Sequence, residues 1–264
     1  QIKADVVYTR TNVKLCGMSP GISYGELGPT HHSIEDIAWM RALDSLPIVL
    51  PADEAQTEGA VRWAAKTPGP VFMRIGRFKV PSVSQGQSPA FVPNKAMRII
   101  DGSDLTIVAT GTLVSRAVAA SQLLKSEGIS ARVINLSTVS PLDIAEILAA
   151  AKETKAIITA EESVTRGGVG GAIAEFIVQN HPVPMKLMGI DSFAPTGSAS
   201  YLLEHFGLTA DAIRKYLPPS TATAKGHIKK TLAGVRSTHP KQPTITLPAP
   251  LNMTIPPKAK IKHI

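Results

Sequence analysis

The sequence predicts an α/β protein of two domains, each with a mostly parallel sheet covered by helices. Between residues 13 and 217, short apolar runs alternate with amphipathic runs of helical period. Some short runs, such as 105–110, are apolar nearly throughout, as expected for a strand covered on both faces. A segment rich in proline and serine, 78–98, divides the alternation and predicts a linker. Together these patterns favour two α/β domains over any all-α or all-β design.

The first domain is predicted over residues 1–77 and has few strands. Residues 1–8 have the pattern of the end of a helix. The predicted strands are 13–18, 47–50 and 71–75, and the predicted helices are 33–43 and 53–66. Three parallel strands leave an uncovered edge, which is difficult to stabilise alone. We therefore expect this domain to be truncated at its N-terminus or completed by another chain.

The second domain is predicted over residues 99–218 and shows a full alternation. Its predicted strands are 105–110, 131–136, 156–160 and 185–189. Its predicted helices are 113–127, 143–152, 168–179, 200–206 and 209–217. This pattern suffices for a sheet of about four or five strands.

The positive charge of the chain belongs to a tail, residues 219–264. The formal net charge is +8, but eight of the 28 basic residues follow residue 219, where Asp and Glu do not occur. The remainder holds 20 basic and 20 acidic residues and is therefore neutral. Seven prolines in the tail favour an extended, irregular chain. A solvated appendage is the favoured interpretation, and we do not expect nucleic acid as a partner.

Composition excludes several classes of protein. The one cysteine, Cys16, excludes a disulfide framework and a multi-cysteine zinc module. Cys16 lies in an apolar run and is predicted to be buried. The sequence has no apolar run of about 18 residues and no secretory signal pattern at its start, so we expect a cytoplasmic protein without a membrane span.

A glycine-rich loop, residues 19–32, is the most informative segment because it links a predicted strand to a predicted helix, where α/β proteins place ligand sites. Ser33 and Asp36 fit a capping box, which favours a structural role for Asp36. His31 and His32 precede the helix, whose positive end favours a neutral imidazole that can exchange hydrogen bonds with a substrate. Adjacent histidines cannot both point into one site. A metal site would need a third ligand here, and we predict none.

Two further segments could carry chemistry. Arg77 follows the strand 71–75 and is well placed for a phosphate or carboxylate, although pairing with a surface acid explains it equally well. The segment 161–172 combines two glutamates with a glycine turn. It matches a dinucleotide fingerprint only loosely, and close packing of a helix on a sheet explains its glycines as well.

These motifs resemble transketolases. The run Gly-Glu-x-Gly-Pro-Thr-His at 25–31, with the segments 35–38, 51–53 and 71–77, resembles the pyrimidine-binding domain. The segments 105–111, 160–162, 167–171 and 206–209 resemble the C-terminal domain. The similarity covers nearly all of residues 1–217, and the separate C-terminal subunit of split transketolases is the form it resembles most. The fold that the resemblance implies is the α/β architecture of thiamine-diphosphate enzymes.

The resemblance implies transfer of a two-carbon ketol unit from a ketose phosphate to an aldose phosphate, with thiamine diphosphate and Mg²⁺. His31 matches the family histidine that faces the substrate and intermediate, and Arg77 matches the arginine that binds the substrate phosphate. Active sites in the family form between subunits, so an oligomer is implied.

Three departures from the family matter. Leu27 stands in place of an acidic residue that contacts a substrate hydroxyl, and Ser19 in place of a substrate-binding histidine, so the sugar could be a modified one. The chain also begins after the glutamate that activates the aminopyrimidine ring. The diphosphate and metal ligands of the family belong to a further domain. We therefore expect an N-terminal transketolase subunit or domain to hold most of the cofactor, and the isolated chain to be inactive.

Two other functions stay open. The chain could be the β-type subunit of a 2-oxoacid dehydrogenase or of a deoxyxylulose-phosphate-synthase-like enzyme, although the Gly-Pro-Thr-His run argues against this. It could also be a non-catalytic assembly module whose basic tail docks an acidic partner.

Overall fold

The computed structural model describes residues 1–216, which form two sheets with helices packed on them. The strands are β1 (Lys14–Met18), β2 (Ile48–Val49), β3 (Val71–Ile75), β4 (Met97–Ile100), β5 (Leu105–Ala109), β6 (Ala131–Asn135), β7 (Thr138–Ser140), β8 (Ile157–Val164) and β9 (Met185–Ile190). The helices are α1 (Asp36–Arg41), α2 (Glu54–Lys66), α3 (Leu113–Ser126), α4 (Ile144–Glu153), α5 (Val169–Asn180), α6 (Ala199–His205) and α7 (Ala210–Lys215). A π-helical segment, Ile2–Tyr8, precedes β1. The predicted α/β class is confirmed.

The first sheet has the strand order β1-β3-β2-β7. The strands β1, β3 and β2 are parallel, as predicted, and β3 has the predicted bounds. The fourth strand, β7, was not predicted, and it pairs antiparallel with β2 although it follows β6 of the other sheet in the chain. Three residues are too few for a periodic pattern, so this pairing is decided by tertiary contacts. Within residues 1–216, β1 is an edge strand of this sheet.

The second sheet has the order β4-β6-β5-β8-β9, with all pairs parallel except β4 with β6. The strand β4 begins inside the predicted linker 78–98, which is therefore shorter than expected. The strand β8 ends four residues beyond the predicted end at 160, because it continues through Glu161 and Glu162 to Val164. Both glutamates are buried and hydrogen-bonded, so their charge does not end the strand.

One apolar core joins the two sheets. Ile48 and Phe72 of the first sheet pack in the same buried cluster as Val108 and Ile134 of the second. Complete burial of one such side chain contributes roughly 1.5–3 kcal/mol to folding. Because these contacts cross between the sheets, the position of one sheet fixes the position of the other.

The start of α1 differs from the prediction. The helix begins at Asp36 after Glu35, which makes no side-chain cap, so the predicted capping box between Ser33 and Asp36 is wrong. Asp36 instead accepts a hydrogen bond from Arg74 Nε at 2.9 Å. His31 belongs to a separate short turn, Pro29–His31, and lies outside the first turn of α1.

Cys16 is exposed, so the prediction of burial is wrong. It lies on β1, which is paired on one side only within residues 1–216. Every helix within residues 1–216 is too short or too polar to span a bilayer. The predicted basic tail, 219–264, lies outside the described residues.

Candidate functional site

The loop between β1 and α1 contains two short 3₁₀ turns, Gly25–Leu27 and Pro29–His31. Its ends are joined by two backbone hydrogen bonds between Gly21 and Ser33, of 2.9 and 3.0 Å. Gly28 has a φ of +77°, a conformation that other residues resist. The bridge and the turns give the loop a defined shape at the carboxyl end of β1.

The base of this loop lies on Glu162, at the end of β8 in the second sheet. Its Oε1 accepts a hydrogen bond from the Ile22 amide at 3.0 Å, and its Oε2 accepts one from Thr112 Oγ1 at 2.8 Å. The residue is nine-tenths buried. Two donors therefore satisfy a carboxylate that burial would otherwise destabilise.

Arg74, on β3, is a buried cation that connects three elements beneath the loop. Its Nε donates to Asp36 Oδ2, and its Nη2 donates to the carbonyl oxygens of Ser33 (2.9 Å) and Glu162 (2.8 Å). Both side chains of the Arg74–Asp36 pair are at least nine-tenths buried. Buried pairs of this kind are costly to break because the remaining charge has no partner.

Arg77 lies just beyond β3, exposed and bracketed by aromatic rings. Its guanidinium carbon is 4.5 Å from the centre of the Tyr24 ring and 5.7 Å from that of Phe78. Among residues 1–216, no carboxylate forms an ion pair with it, so the surface-pair explanation receives no support. A stacked guanidinium keeps its N–H groups available for a planar or tetrahedral oxoanion.

A cleft of about 840 Å³ opens beside Arg77. Its walls are the start of α2, the segment after β3 and Thr112, and Lys79 adds a second cation. Phe78, Lys79 and Thr112 also border a neighbouring cleft of about 360 Å³. Glu162 lines that second cleft, so the carboxylate that holds the loop is close to the space beside Arg77.

His31 is exposed at the end of the second 3₁₀ turn. Its Nδ1 lies 3.1 Å from Thr30 Oγ1. When the hydroxyl donates to Nδ1, Nε2 carries the proton and can donate it to an oxygen of a bound molecule. His32 has different surroundings, because both of its ring nitrogens are buried and have no hydrogen-bond partner among residues 1–216.

Ser19 follows β1 with a φ of +58°, and its amide donates to the Ile75 carbonyl at 3.0 Å. The ends of β1 and β3 are therefore adjacent. Tyr24, which belongs to the same loop as His31, contacts Arg77. Ser19, the His31 loop and Arg77 thus share the carboxyl edge of the first sheet.

Glu161 has a different function from its neighbour Glu162, because adjacent residues of a strand point to opposite faces. Its oxygens accept hydrogen bonds from the amides of Val169 (2.7 Å) and Gly170 (2.8 Å), at the start of α5. Burial raises the pKa of Glu161 above its ordinary value, and the hydrogen bonds oppose this shift only in part. Glu161 therefore anchors α5, which explains part of the predicted glycine motif.

Asp53 caps the start of α2 and fixes the segment after β3. Its carboxylate accepts hydrogen bonds from the amides of Gln56, Val83 and Ser84, at 2.8–3.0 Å, and from the Ser84 hydroxyl. Burial opposes ionisation, but these hydrogen bonds together lower the pKa of Asp53 below its ordinary value. Asp53 thereby shapes one wall of the larger cleft.

The sequence pattern did not predict that Tyr24, Thr112 and Arg74 belong to the site. It did not predict the role of Glu162 either. The glutamate pair at the end of a predicted buried strand was the available signal, because buried carboxylates require partners. The partners come from segments distant in the sequence, so their identity required the fold.

Comparison with known proteins identifies both halves of the chain. Residues 1–82 match the family model "Transketolase, pyrimidine binding domain", and residues 94–213 match "Transketolase, C-terminal domain". An apulose-4-phosphate transketolase subunit of Phocaeicola vulgatus is 42% identical over 216 residues, which cover 81% of this chain and 69% of the relative. A 6-deoxy-6-sulfo-D-fructose transketolase subunit of a Clostridium species is 38% identical over 214 residues, covering 81% and 66%.

A solved structure described as "Split gene transketolase, inactive beta4 tetramer" superposes with a TM-score of 0.75 at 36% identity. The match covers 81% of this chain and 68% of that chain. This chain thus spans about two thirds of the length of these relatives.

Proposed function

We propose that this chain, which belongs to the transketolase family, supplies the substrate-facing part of an active site for two-carbon ketol transfer between sugars that carry an oxoanion. The observation that carries the proposal is the exposed Arg77, stacked on Tyr24 of the loop that also contains His31. The two family matches support a first domain at 1–77 and a second at 99–218.

Arg77 binds the terminal oxoanion of the sugar. An arginine without a carboxylate partner among the described residues, beside a cleft that also contains Lys79, suits a phosphate or a sulfonate. The names of the two relatives refer to a sugar phosphate and to a sulfo sugar. Both a phosphate and a sulfonate are therefore candidates for the anion that Arg77 binds. The exposed Leu27 and the partly buried Ser19, which replace polar residues of the family, favour a modified sugar.

His31 faces the reacting carbons. With the Thr30 hydroxyl donating to Nδ1, the Nε2 proton is available to a hydroxyl or carbonyl oxygen of the sugar. Donation to an oxygen that gains negative charge lowers the barrier of the bond-making and bond-breaking steps. His31 therefore acts by holding a proton at a defined atom.

We assign only a part of the cofactor-binding site to this chain. Thiamine diphosphate, when bound, supplies the nucleophilic carbon that carries the two-carbon unit. Residues 1–216 contain no group of three or more His, Cys, Asp or Glu side chains placed to hold a metal ion. We therefore assign Mg²⁺ and the diphosphate to a second polypeptide of the N-terminal transketolase type and derive no step through them. The relatives' names, which describe them as subunits, support such a partner.

Reconstitution tests the proposal. The chain is mixed with an N-terminal transketolase subunit, thiamine diphosphate and Mg²⁺, and supplied with a ketose phosphate donor and a panel of phosphorylated and sulfonated acceptors. We expect ketol transfer only from the mixture and not from either polypeptide alone. Transfer from pyruvate instead of a ketose would replace the proposal with a synthase or dehydrogenase function. Lack of all turnover in a mixture that forms a complex would contradict a catalytic role.

A further inference from the structure

We propose that Glu162 is a positioning residue, through which the second domain holds the substrate loop (residues 19–32) in the shape that presents His31. The inference rests on the proposed function for its catalytic consequence. The carboxylate accepts the Ile22 amide at 3.0 Å and the Thr112 hydroxyl at 2.8 Å. Glu162 and Thr112 belong to the second domain, whereas Ile22 belongs to the substrate loop.

The backbone of the substrate loop is shaped around this carboxylate. Gly21 has a φ of +65°, and a Cβ at that position would lie 2.4 Å from Glu162 Oε1. A side chain at residue 21 would therefore push the carboxylate away from the Ile22 amide. The same glycine forms the backbone bridge with Ser33 that closes the loop. The contact with Glu162 and the closure of the loop thus depend on the same short segment.

Arg74 fixes the position of Glu162 relative to the backbone bridge between Gly21 and Ser33. Its Nη2 donates both to the Glu162 carbonyl and to the Ser33 carbonyl, so one buried guanidinium joins the end of β8 to the end of the loop. The guanidinium is itself held by Asp36. The backbone of Glu162 therefore cannot move away from the loop without breaking a buried hydrogen bond to Arg74.

The far side of the substrate loop is held by the second domain too. The Gly197 amide donates to the Gly25 carbonyl at 3.0 Å. A Cβ at Gly28 would lie 2.8 Å from Thr196 Oγ1, which shows how closely the two segments approach. With its base on Glu162 and its tip against residues 196–197, the loop has a defined position just before His31. A displacement of about 1 Å at a catalytic group reduces rates by as much as 100-fold.

The role predicted for Glu162 depends on hydrogen-bond acceptors and not on charge. A glutamine keeps an oxygen for the Ile22 amide, and its amide group donates to the Thr112 hydroxyl. An alanine removes both contacts and leaves a buried amide without a partner. Glu162→Gln and Glu162→Ala therefore separate positioning from any direct action of the charge on the substrate.

The test uses the full chain, alone and in the reconstituted complex. In the chain alone, we expect Glu162→Ala to accelerate hydrogen exchange of the Ile22 amide by tenfold or more, and Glu162→Gln by less than threefold. In the complex, we expect Glu162→Ala to lower kcat by tenfold or more with little change in KM, and Glu162→Gln to restore kcat to within threefold of wild type. Asp143→Ala, which removes another buried carboxylate that accepts backbone amides, is the matched control and should keep wild-type kcat.

Three results would overturn the inference. The first is unchanged exchange at Ile22 in Glu162→Ala. The second is a kcat in Glu162→Gln as low as in Glu162→Ala, which would assign the effect to charge. The third is an equal loss of kcat in Asp143→Ala, which would assign it to general destabilisation. If the wild-type complex shows no ketol transfer, the proposed function fails, and the exchange measurement still decides the role of Glu162.

Discussion

At the scale of single residues, the proposed substrate binding depends on the contact between Arg77 and Tyr24. The ring of Tyr24 restrains a flexible side chain before any anion arrives, which reduces the entropy lost on binding. The contact also joins the segment after β3 to the substrate loop, so that the proposed anion site and His31 are positioned together. Cation–π contacts at exposed sites contribute about 0.5–1 kcal/mol.

Replacement of Tyr24 by leucine should therefore weaken anion binding without affecting the chemical step. In the reconstituted complex, we expect KM for a phosphorylated acceptor to rise about two- to fivefold at constant kcat. Tyr24→Phe should keep wild-type KM because it retains the ring. Tyr216 stacks on Lys186 at the same 4.5 Å, so Tyr216→Leu is the control for loss of a tyrosine–cation contact elsewhere. An unchanged KM in Tyr24→Leu would contradict the positioning role.

The buried pair Arg74–Asp36 should dominate local stability. Asp36→Ala leaves a buried guanidinium without its carboxylate, and we expect a loss of about 3–5 kcal/mol in the free energy of unfolding. The exposed pair Arg62–Glu58 is the comparison, and Glu58→Ala should cost less than about 1 kcal/mol. Urea unfolding of the three proteins measures both values. Equal losses in the two variants would show that Arg74 does not depend on Asp36.

Single residues were predictable where local pattern decides their position and not where the fold does. The position of Arg77 was predictable because it follows a clear strand, β3. Cys16 was placed wrongly because an apolar run does not show whether its strand lies at the edge of a sheet. The capping box at Ser33 was wrong because Asp36 pairs with Arg74, a partner 38 residues away.

At the scale of elements, Asp53 joins helix α2 to the segment 82–84. The folded-state pKa of this carboxyl is lowered, so its contribution to stability is present above the unfolded pKa, near 3.8, and is lost as the pH falls through the folded value. The same contacts define a wall of the larger cleft. Acidification below about pH 4 should therefore loosen the segment 82–84 before it affects the core.

Asp53→Asn tests this dependence. Asparagine still caps α2, but it has one acceptor oxygen for the donors that Asp53 satisfies with two, so we expect a loss of about 1–2 kcal/mol at pH 7. Because the variant has no carboxyl to titrate, its stability should fall less between about pH 5 and 3 than that of the wild type. Urea unfolding at several pH values measures both slopes, with Asp5→Asn, at an exposed position, as the control. Parallel slopes in wild type and Asp53→Asn would contradict the assignment.

The element pattern was predictable wherever a strand or helix is long and its periodicity local. The strand β3 and the helices α2, α3 and α5 have nearly the predicted bounds. The strand β7 and the extension of β8 were not predictable, because three residues carry no period and two glutamates normally end an apolar run. Both depend on partners distant in the sequence, which are β2 for β7 and the residues Ile22 and Arg74 for Glu162 of β8. A local pattern does not contain such partners.

At the scale of the whole molecule, the second domain helps to hold the loop of the proposed site, which belongs to the first domain. It supplies Glu162 beneath the substrate loop and the segment 196–197 beside the loop tip, and it adds β7 to the first sheet. The family resemblance read from the loop motif is confirmed by the matches over both halves. That a second polypeptide supplies the remaining part of the active site is a proposal.

The most direct test of the central claim is the preference of the reconstituted complex for an acceptor aldose that carries a phosphate over the same aldose without it. The measured quantity is the ratio of the two kcat/KM values, in wild type, Arg77→Ala and the surface control Arg62→Ala. Loss of a charge-assisted hydrogen bond of about 1.5–3 kcal/mol should lower the ratio about 10- to 150-fold in Arg77→Ala. Arg62→Ala should keep the wild-type ratio. An unchanged ratio in Arg77→Ala, in a complex that performs ketol transfer, would contradict the claim that this chain binds the substrate oxoanion.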